Sequence, residues 1–508
     1  MGTLDDARPA VTPRRLATVA RASLALAMAI VLAAHVGSPD VFRSGKAGPY
    51  AVDVMIRPPQ VVPGIAEILV RVADPRVTRV TVRPVYWRAG SKGAPSADEA
   101  DPVKDAPGSY SGRLWLMAAG SYSVHVALTG TAGQGTLVVP VAAVATGQLG
   151  LSPGLKWLLI ALGTLLVAGV ITTVHAAVGE SQVPPGEPVP PSRRRRAHVG
   201  AAIATPLMAL LVFGGAKWWD AEAKAYARTL YRPMKTEVAL RDSAGTPTLL
   251  LRVVDTSWRE GRVSPLMPDH GKMAHLFLAR IDTVGVLAHL HPSLTDPASL
   301  VSALPPLPAG RYRVYADVVH ETGFQRTLVD SIELGAPLPP GGVSHLDPDD
   351  AWFEGPTAQL PATTDVQLGD VTVSWSGDAK PIAGRTGALR FSVRGASGDS
   401  VRVQPYLGMP GHAVVMRRDG GVYVHLHPSG TGTMASELAF ALRDRGDTTA
   451  DGRLRLSDSP MPMSAEQALR EIAFPYAFPS GGAYRVWVQL RVRGTVRTAA
   501  WDVNVSTR

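Results

Sequence analysis

The sequence predicts a mainly β protein, with three Ig-like or cupredoxin-like β-sandwich modules tethered by about three transmembrane helices. Three observations carry this. The 508 residues combine 46% hydrophobic content with 50 Gly and 43 Pro, which favours short strands and many turns over a helical bundle. Outside three long apolar runs, valine and aromatic residues alternate at period two, as on a half-buried sheet. One closing signature also occurs three times, in AAGSYSVHVALTG (Ala118–Gly130), PAGRYRVYADVV (Pro308–Val319) and SGGAYRVWVQLRV (Ser480–Val492). Each is a Gly-bearing turn followed by a Tyr-centred strand.

Residues 1–15 form a short basic N-terminus, expected in the cytoplasm. Residues 16–36 follow as a transmembrane helix or signal anchor, flanked by Arg14 and Arg15 and without a clean cleavage site. Residues 38–153 make the first extracytoplasmic β module. A second span, 155–178, is uncharged after Lys156 and exceeds the roughly 20 residues a bilayer needs. The loop 179–198 carries SRRRR (Ser192–Arg196) and is expected inside, because positive residues in short loops stay cytoplasmic. A third span, 199–219, is interrupted by Pro206 and ends in Trp218 and Trp219. Two further β modules, 233–337 and 364–508, flank a linker at 338–363 rich in Pro, Gly and Asp. SAEQALREIA (Ser464–Ala473) reads as the one notable helix outside the membrane. The expected location is a bacterial inner membrane, against lipid, and the order of segments would put the large parts on its extracytoplasmic, periplasmic side.

The absence of cysteine excludes disulfides, thiolate zinc sites, iron–sulfur clusters and blue-copper ligation. The formal charge of +9 is scattered through strands and membrane flanks, so no nucleic-acid partner is expected. No nucleophile elbow, P-loop, dinucleotide fingerprint or H-E-x-x-H motif is present, and the chain is not expected to be an enzyme. DPDD (Asp347–Asp350) lies in the linker and lacks an EF-hand pattern.

The chemistry concentrates in MPGHAVVMRRDGGVYVHLHP (Met409–Pro428). A turn at Arg418-Asp419-Gly420-Gly421 pairs Met416 with Tyr423 and Val414 with His425, and sets His412 across from His427. His412, Met416, Tyr423, His425 and His427 then share one face, while Ala413, Val415, Val422, Val424 and Leu426 turn to the core. The histidines therefore look towards a groove, another module or water.

A second copy, MPDHGKMAHLFLARIDTVGVLAHLHP (Met267–Pro292), is one residue longer between its outer histidines. A three-residue loop, Asp282-Thr283-Val284, restores the geometry: His275 faces His291, and His289 shares their face. Opposed imidazoles lie close enough to share an ion. Met409, Met416, Met267 and Met273 could add thioethers, which favour copper, with zinc as the alternative. His270 is a candidate fourth ligand of the earlier copy. His125 reads as an ordinary strand residue and His320 as solvated. Met434, Met461 and Met463 carry little weight.

With its Gly-Tyr closing strand, the MPGHAVVMRRDGGVYVHLHP block resembles the small extracytoplasmic sandwiches of the YtkA-like, FixH-like and CopC-like kind. The resemblance covers Met234–Arg508, and the first module more loosely. It implies copper handling, with His412, His425 and His427 as ligands and His275, His289 and His291 as counterparts. The expected function is copper binding, delivery or tolerance at two three-His hairpin sites. The expected partner is a membrane redox or metal-transport complex. The alternative is a non-catalytic scaffold or accessory subunit whose β-sandwich modules dock onto a membrane redox or cell-envelope complex.

Overall fold

The structure, a computed structural model, describes residues 35–36, 40–259, 263–339, 346–355, 365–378, 380–399, 401–456 and 467–507. The chain divides into two compact units, one of residues 1–59, 63–143 and 233–508, the other of 60–62 and 144–232.

The second unit holds two long helices. Helix α1 (Pro153–Glu180) starts where the Ser152 hydroxyl accepts the Leu155 N–H, with Pro153 at a position that needs no donor. Helix α2 (Pro191–Thr229) runs through Pro206 without a break. Both are long and apolar enough to cross a membrane. Among the described residues, then, there are two such helices and not three. Of the first apolar run, 16–34 lies outside the described residues, and His35–Val36 forms a two-residue strand. The arginine cluster is also not in a loop: Pro190 and Pro191 start α2 early, so Arg193–Arg196 occupy its first turns.

The first unit is mainly β, and its strands form several antiparallel sheets. Residues 41–143 build a five-stranded and a four-stranded sheet. The next region pairs a four-stranded sheet with a six-stranded one, and the two share a core of Leu249, Leu251, Leu276, Leu278, Tyr312 and Val314. Four strands of the larger sheet matter below: β1 (His275–Arg280), β2 (Val286–Leu290), β3 (Gly310–His320) and β4 (Ala351–Glu354). The last region contributes β5 (His412–Arg417), β6 (Val422–Leu426), β7 (Gly482–Val492) and β8 (Thr495–Val505). Its core joins Ala413, Val415, Val424 and Leu426 to Phe391, Phe474 and Trp501 of its neighbouring strands.

The repeated Gly-Tyr signature has one structural meaning. Gly120, Gly310 and Gly482 open their strands at φ 132°, 148° and 141°, a backbone region that disfavours any Cβ. Two residues on, Tyr122, Tyr312 and Tyr484 each donate their hydroxyl to the carbonyl four residues back, at 3.1, 2.7 and 2.8 Å. The three regions are not separate beads, because Phe42 of the first is buried in the core of the last.

Three local expectations change. The linker contains β4, whose Ala351–Glu354 pairs with Val286–His289 as an edge strand. Residues of SAEQALREIA that are described form strand, Gln467–Leu469 and then Glu471–Tyr476. There Ile472, Phe474 and Tyr476 alternate into the core and override helix propensity. Helix α3 (Met434–Arg445) stands where none was expected, capped by the Thr433 hydroxyl and ended by Gly446 at φ 78°.

Candidate metal centre

Both hairpins have the expected register. In β5–β6, Val414 pairs with His425 and Met416 with Tyr423, which carries His412 opposite His427. In β1–β2, Leu276 pairs with Leu290 and Phe277 with His289, which carries His275 opposite His291. The earlier loop ends in Val284 at φ 45°, an uncommon conformation for a β-branched residue.

The side chains that share the histidine face of the two hairpins meet each other. Phe277, Ala279 and Leu287 of the earlier hairpin pack with Val414, Met416 and Tyr423 of the later one, and with Trp487 of β7. Tyr315 and Tyr423 stack at 3.8 Å between centroids, nearly parallel at 4°. Next to this apolar seam, seven of the chain's 13 histidines converge. Their ring centroids form a continuous net: His289–His291 4.7 Å, His275–His291 5.2 Å, His275–His425 5.5 Å, His425–His427 4.7 Å, His412–His427 5.0 Å and His270–His427 5.3 Å.

Two sets of three could each hold a metal ion, their ligand atoms all within 4.8 Å of one another. One is His275, His289 and His291, as the hairpin geometry implied. The other is His270, His412 and His427. His270 therefore joins the later copy rather than its own. It sits on the turn Asp269–Lys272 before β1, at φ 53° with Gly271 at φ 79°, and its ring lies 5.7 Å from His412. His425, expected with His412 and His427, stands between the sets, 5.3 Å from His412 and 5.5 Å from His289.

Several rings are fixed from behind. His427 Nδ1 is 3.1 Å from the Gly432 carbonyl, which can only accept, so Nδ1 carries the proton. His291 Nδ1 donates to Asp350 Oδ1 at 2.9 Å. His289 Nδ1 donates to Gln489 Oε1 at 2.8 Å and to the Tyr406 hydroxyl at 3.1 Å; Tyr406 in turn donates to the Asp349 carbonyl. Each leaves Nε2 as the lone-pair nitrogen. A metal-bound histidine is oriented in this way, by an acceptor behind its other nitrogen.

The free nitrogens are buried. Nε2 of His270, His275, His291, His425 and His427, and both nitrogens of His412, have no hydrogen-bond partner. An unmet buried polar atom costs about 1–3 kcal/mol, so seven such atoms on six residues make a site that a bound group would stabilise. Protonation does not relieve those of His270, His275, His412 and His427. Burial, then the neighbouring imidazoles, hold His275, His289, His412 and His427 far below the usual histidine value, and His270 falls to about 3. Neutral imidazoles are the form that binds a metal.

Carboxylates complete the setting. Asp347 and Asp350 form a further possible metal group with His291, so DPDD, set aside in the sequence, reaches the site. Asp269, which the sequence reading passed over, is 3% exposed. Its Oδ1 accepts the Ala435 N–H of α3, while Oδ2 is unpartnered, 3.7 Å from His270 Nε2 and 3.8 Å from His275 Nε2. Burial raises its carboxyl against the pull of His427.

The methionines are placed differently. Met416 fills the apolar seam beside Tyr423 and Trp487, and Met267 is buried with Val319, Ala435 and Ala439. Met409 closes the turn that begins at Tyr406, and Met273 directly follows the turn that ends at Lys272. Met434 starts α3, while Met461 and Met463 lie outside the described residues. His320, expected in solvent, is 1% exposed; its Nδ1 donates to the Ser264 carbonyl at 2.6 Å. His125 is partly buried, 3.8 Å from Asp444.

Among known families, residues 364–507 match the model of a domain of unknown function (DUF8832). That span contains His412, His425 and His427, whereas the other four histidines of the cluster precede it. No curated protein matches the chain in sequence. Solved structures are similar only faintly. Dimeric latent PorU from Porphyromonas gingivalis is 10% identical, covers 92% of this chain and 34% of its own, and has a TM-score of 0.14. Trypsin-activated alpha-2-macroglobulin from Escherichia coli is 9% identical, with 93% of this chain and 24% of its own covered and a TM-score of 0.16. The FN1-FN3 domains of chicken CNTN1 are 8% identical, with 88% and 97% covered and a TM-score of 0.13. The chain thus spans about a third of PorU and a quarter of the macroglobulin.

Proposed function

We propose that this is a membrane-anchored extracytoplasmic protein that binds copper between its two histidine hairpins and serves copper storage, delivery or tolerance. One observation carries the reading: six buried imidazoles whose Nε2 atoms lack partners, two of them, His427 and His291, with Nδ1 already committed to an oxygen behind the ring. Imidazole suits copper and zinc alike. With Met416 and Met267 in apolar clusters, the donor set is nitrogen-rich and suits Cu(II) or Zn(II) better than a thioether site for Cu(I).

In this reading the paired sheets are Ig-like or cupredoxin-like modules, and α1 and α2 are the membrane anchor. Arg193–Arg196 hold the short connection between α1 and α2 on the cytoplasmic side, which puts the β regions outside. The role is non-catalytic, and the natural partner is a membrane redox or metal-transport complex.

The test is metal analysis of the full chain purified in detergent, followed by Cu(II) and Zn(II) titration. Copper bound tightly by the wild type, and lost when His275, His289, His412 and His427 are all changed to Ala, is the expected result. Uptake of neither metal would end the proposal.

A further inference from the structure

Resting on that reading, we propose that the seven imidazoles and Asp269 form a single two-metal centre, each three-His set being completed to four donors. Four ligands are what a closed Zn(II)-type or related site takes. For His270, His412 and His427 the fourth donor is Asp269. Its free Oδ2 is 3.7 Å from His270 Nε2, and its Oδ1 is pinned by Ala435, so the carboxylate cannot swing away. For His275, His289 and His291 the fourth donor is His425, 5.5 Å in centroid distance from both His275 and His289, with a free buried Nε2.

The same two residues join the sets. Asp269 Oδ2 is also 3.8 Å from His275 Nε2, in the other set, and the His425 ring lies 4.7 Å from His427. Two ions so close, in reach of a shared carboxylate, interact magnetically and electrostatically. A carboxylate there also offsets the ions' positive charge, which imidazole ligands alone leave uncompensated. His425 is steadied from behind by Asp317, 3.5 Å from its Nδ1.

The experiment uses the full chain in detergent, loaded with Cu(II) alone. It combines copper per chain with the electron paramagnetic resonance spectrum and its integrated intensity. Two ions per chain with a spin-coupled spectrum, of low integrated intensity or with a half-field transition, are expected. Asp269→Asn keeps an oxygen for Ala435 and removes the charge. It should weaken one ion at least about tenfold and restore an uncoupled signal from the other. His425→Gln should weaken the opposite ion.

One copper per chain, or two with full uncoupled intensity, would overturn the two-metal centre while leaving metal binding intact. No copper at all would overturn both readings. Should Asp269→Asn fail to fold, judged by its thermal unfolding without metal, the wild-type spectrum and His425→Gln still decide.

Discussion

Matched by strand register, His275, His289 and His291 stand in their region where His412, His425 and His427 stand in theirs, and Gly310 and Tyr312 where Gly482 and Tyr484 do. The turns ahead of the two hairpins correspond as well: His270-Gly271 at φ 53° and 79°, Leu407-Gly408 at φ 50° and 75°. The middle histidines are held reciprocally. Gln489, paired with His412, bonds His289, and Asp317, paired with His275, lies 3.5 Å from His425. The two regions thus face each other like halves of a two-fold interface. They differ where they meet the histidines. Asp269 and His270 in one half correspond to Tyr406 and Leu407 in the other, and only one half sets a buried carboxylate near both histidine sets. The matched residues build the frame, and the unmatched ones distinguish the two sets of histidines.

The sharpest break in the symmetry for stability lies beside the hairpin turns. Arg485 of β7 is fully buried, paired through two bonds of 2.9 and 2.7 Å with Asp502, and donates to the Val284 carbonyl of the other half. Its counterpart Arg313 has Ser331 opposite. Asp502→Ala strands a buried guanidinium and should cost about 3–5 kcal/mol, whereas Ser331→Ala should change stability by less than about 0.5 kcal/mol. Urea unfolding of the two variants checks this; equal losses would show that the halves bear the same load.

A second break concerns pH. His320 at the end of β3 corresponds to Val492, which is buried in its own core. Burial lowers His320 to about 4 from the ordinary 6.5. Above about 6.5 both folded and unfolded forms are neutral, and the full stability is present. As pH falls from about 6.5 to 4, only the unfolded chain takes up the proton, so stability is lost, by as much as roughly 3 kcal/mol. His320→Val copies the other half and should remove that part of the acid sensitivity. Unfolding midpoints of wild type and variant at pH 7 and 4.5 give the difference. An unchanged pH dependence would show His320 already protonated or exposed.

Much of this comparison was legible in the sequence, and part of it was not. Period-two alternation and an Asp-Gly turn set the later register, and a three-residue loop ending at Val284 absorbs the one-residue difference and sets the earlier one. The histidine face, however, had no visible destination, because a strand pattern shows which side leaves the core but not what covers it. His270 was assigned to its neighbour in sequence, while a left-handed turn aims it at the other hairpin. Asp269 had a signal, a carboxylate adjoining a candidate ligand, but its partner Ala435 lies 166 residues away. Helix α3 was bracketed by Thr433 and Gly446, a capping pattern that could have been found.

The ligand asymmetry can be tested by erasing it. His270→Leu gives the first turn the residue its counterpart already carries at the same φ, so the backbone should tolerate it. The His270, His412 and His427 set would keep two imidazoles, and its ion should weaken on the order of 100-fold, while the other ion stays. Copper per chain after dialysis against a chelator is the readout. Retention of every ion that the wild type holds would remove His270 from the ligand set.

The smallest expected effect separates the two kinds of support behind the rings. His427 is held by the backbone carbonyl of Gly432, which no side-chain change removes. His291 is held by Asp350, whose Oδ1 also accepts the His291 backbone N–H at 2.8 Å and whose Oδ2 accepts the Asp347 N–H at 2.9 Å. Asp350→Asn keeps an acceptor of similar shape but removes the charge that strengthens the imidazole as a donor to metal. The ion at His275, His289 and His291 should bind about 10-fold, and at most about 100-fold, more weakly, with the ion at His270, His412 and His427 unaffected. Competition titration with a chelator of known affinity resolves the two. If both ions weaken together, Asp350 acts through the shared seam and the halves are one cooperative unit; if neither does, the carboxylate is a turn residue that holds Asp347 and His291 for the fold.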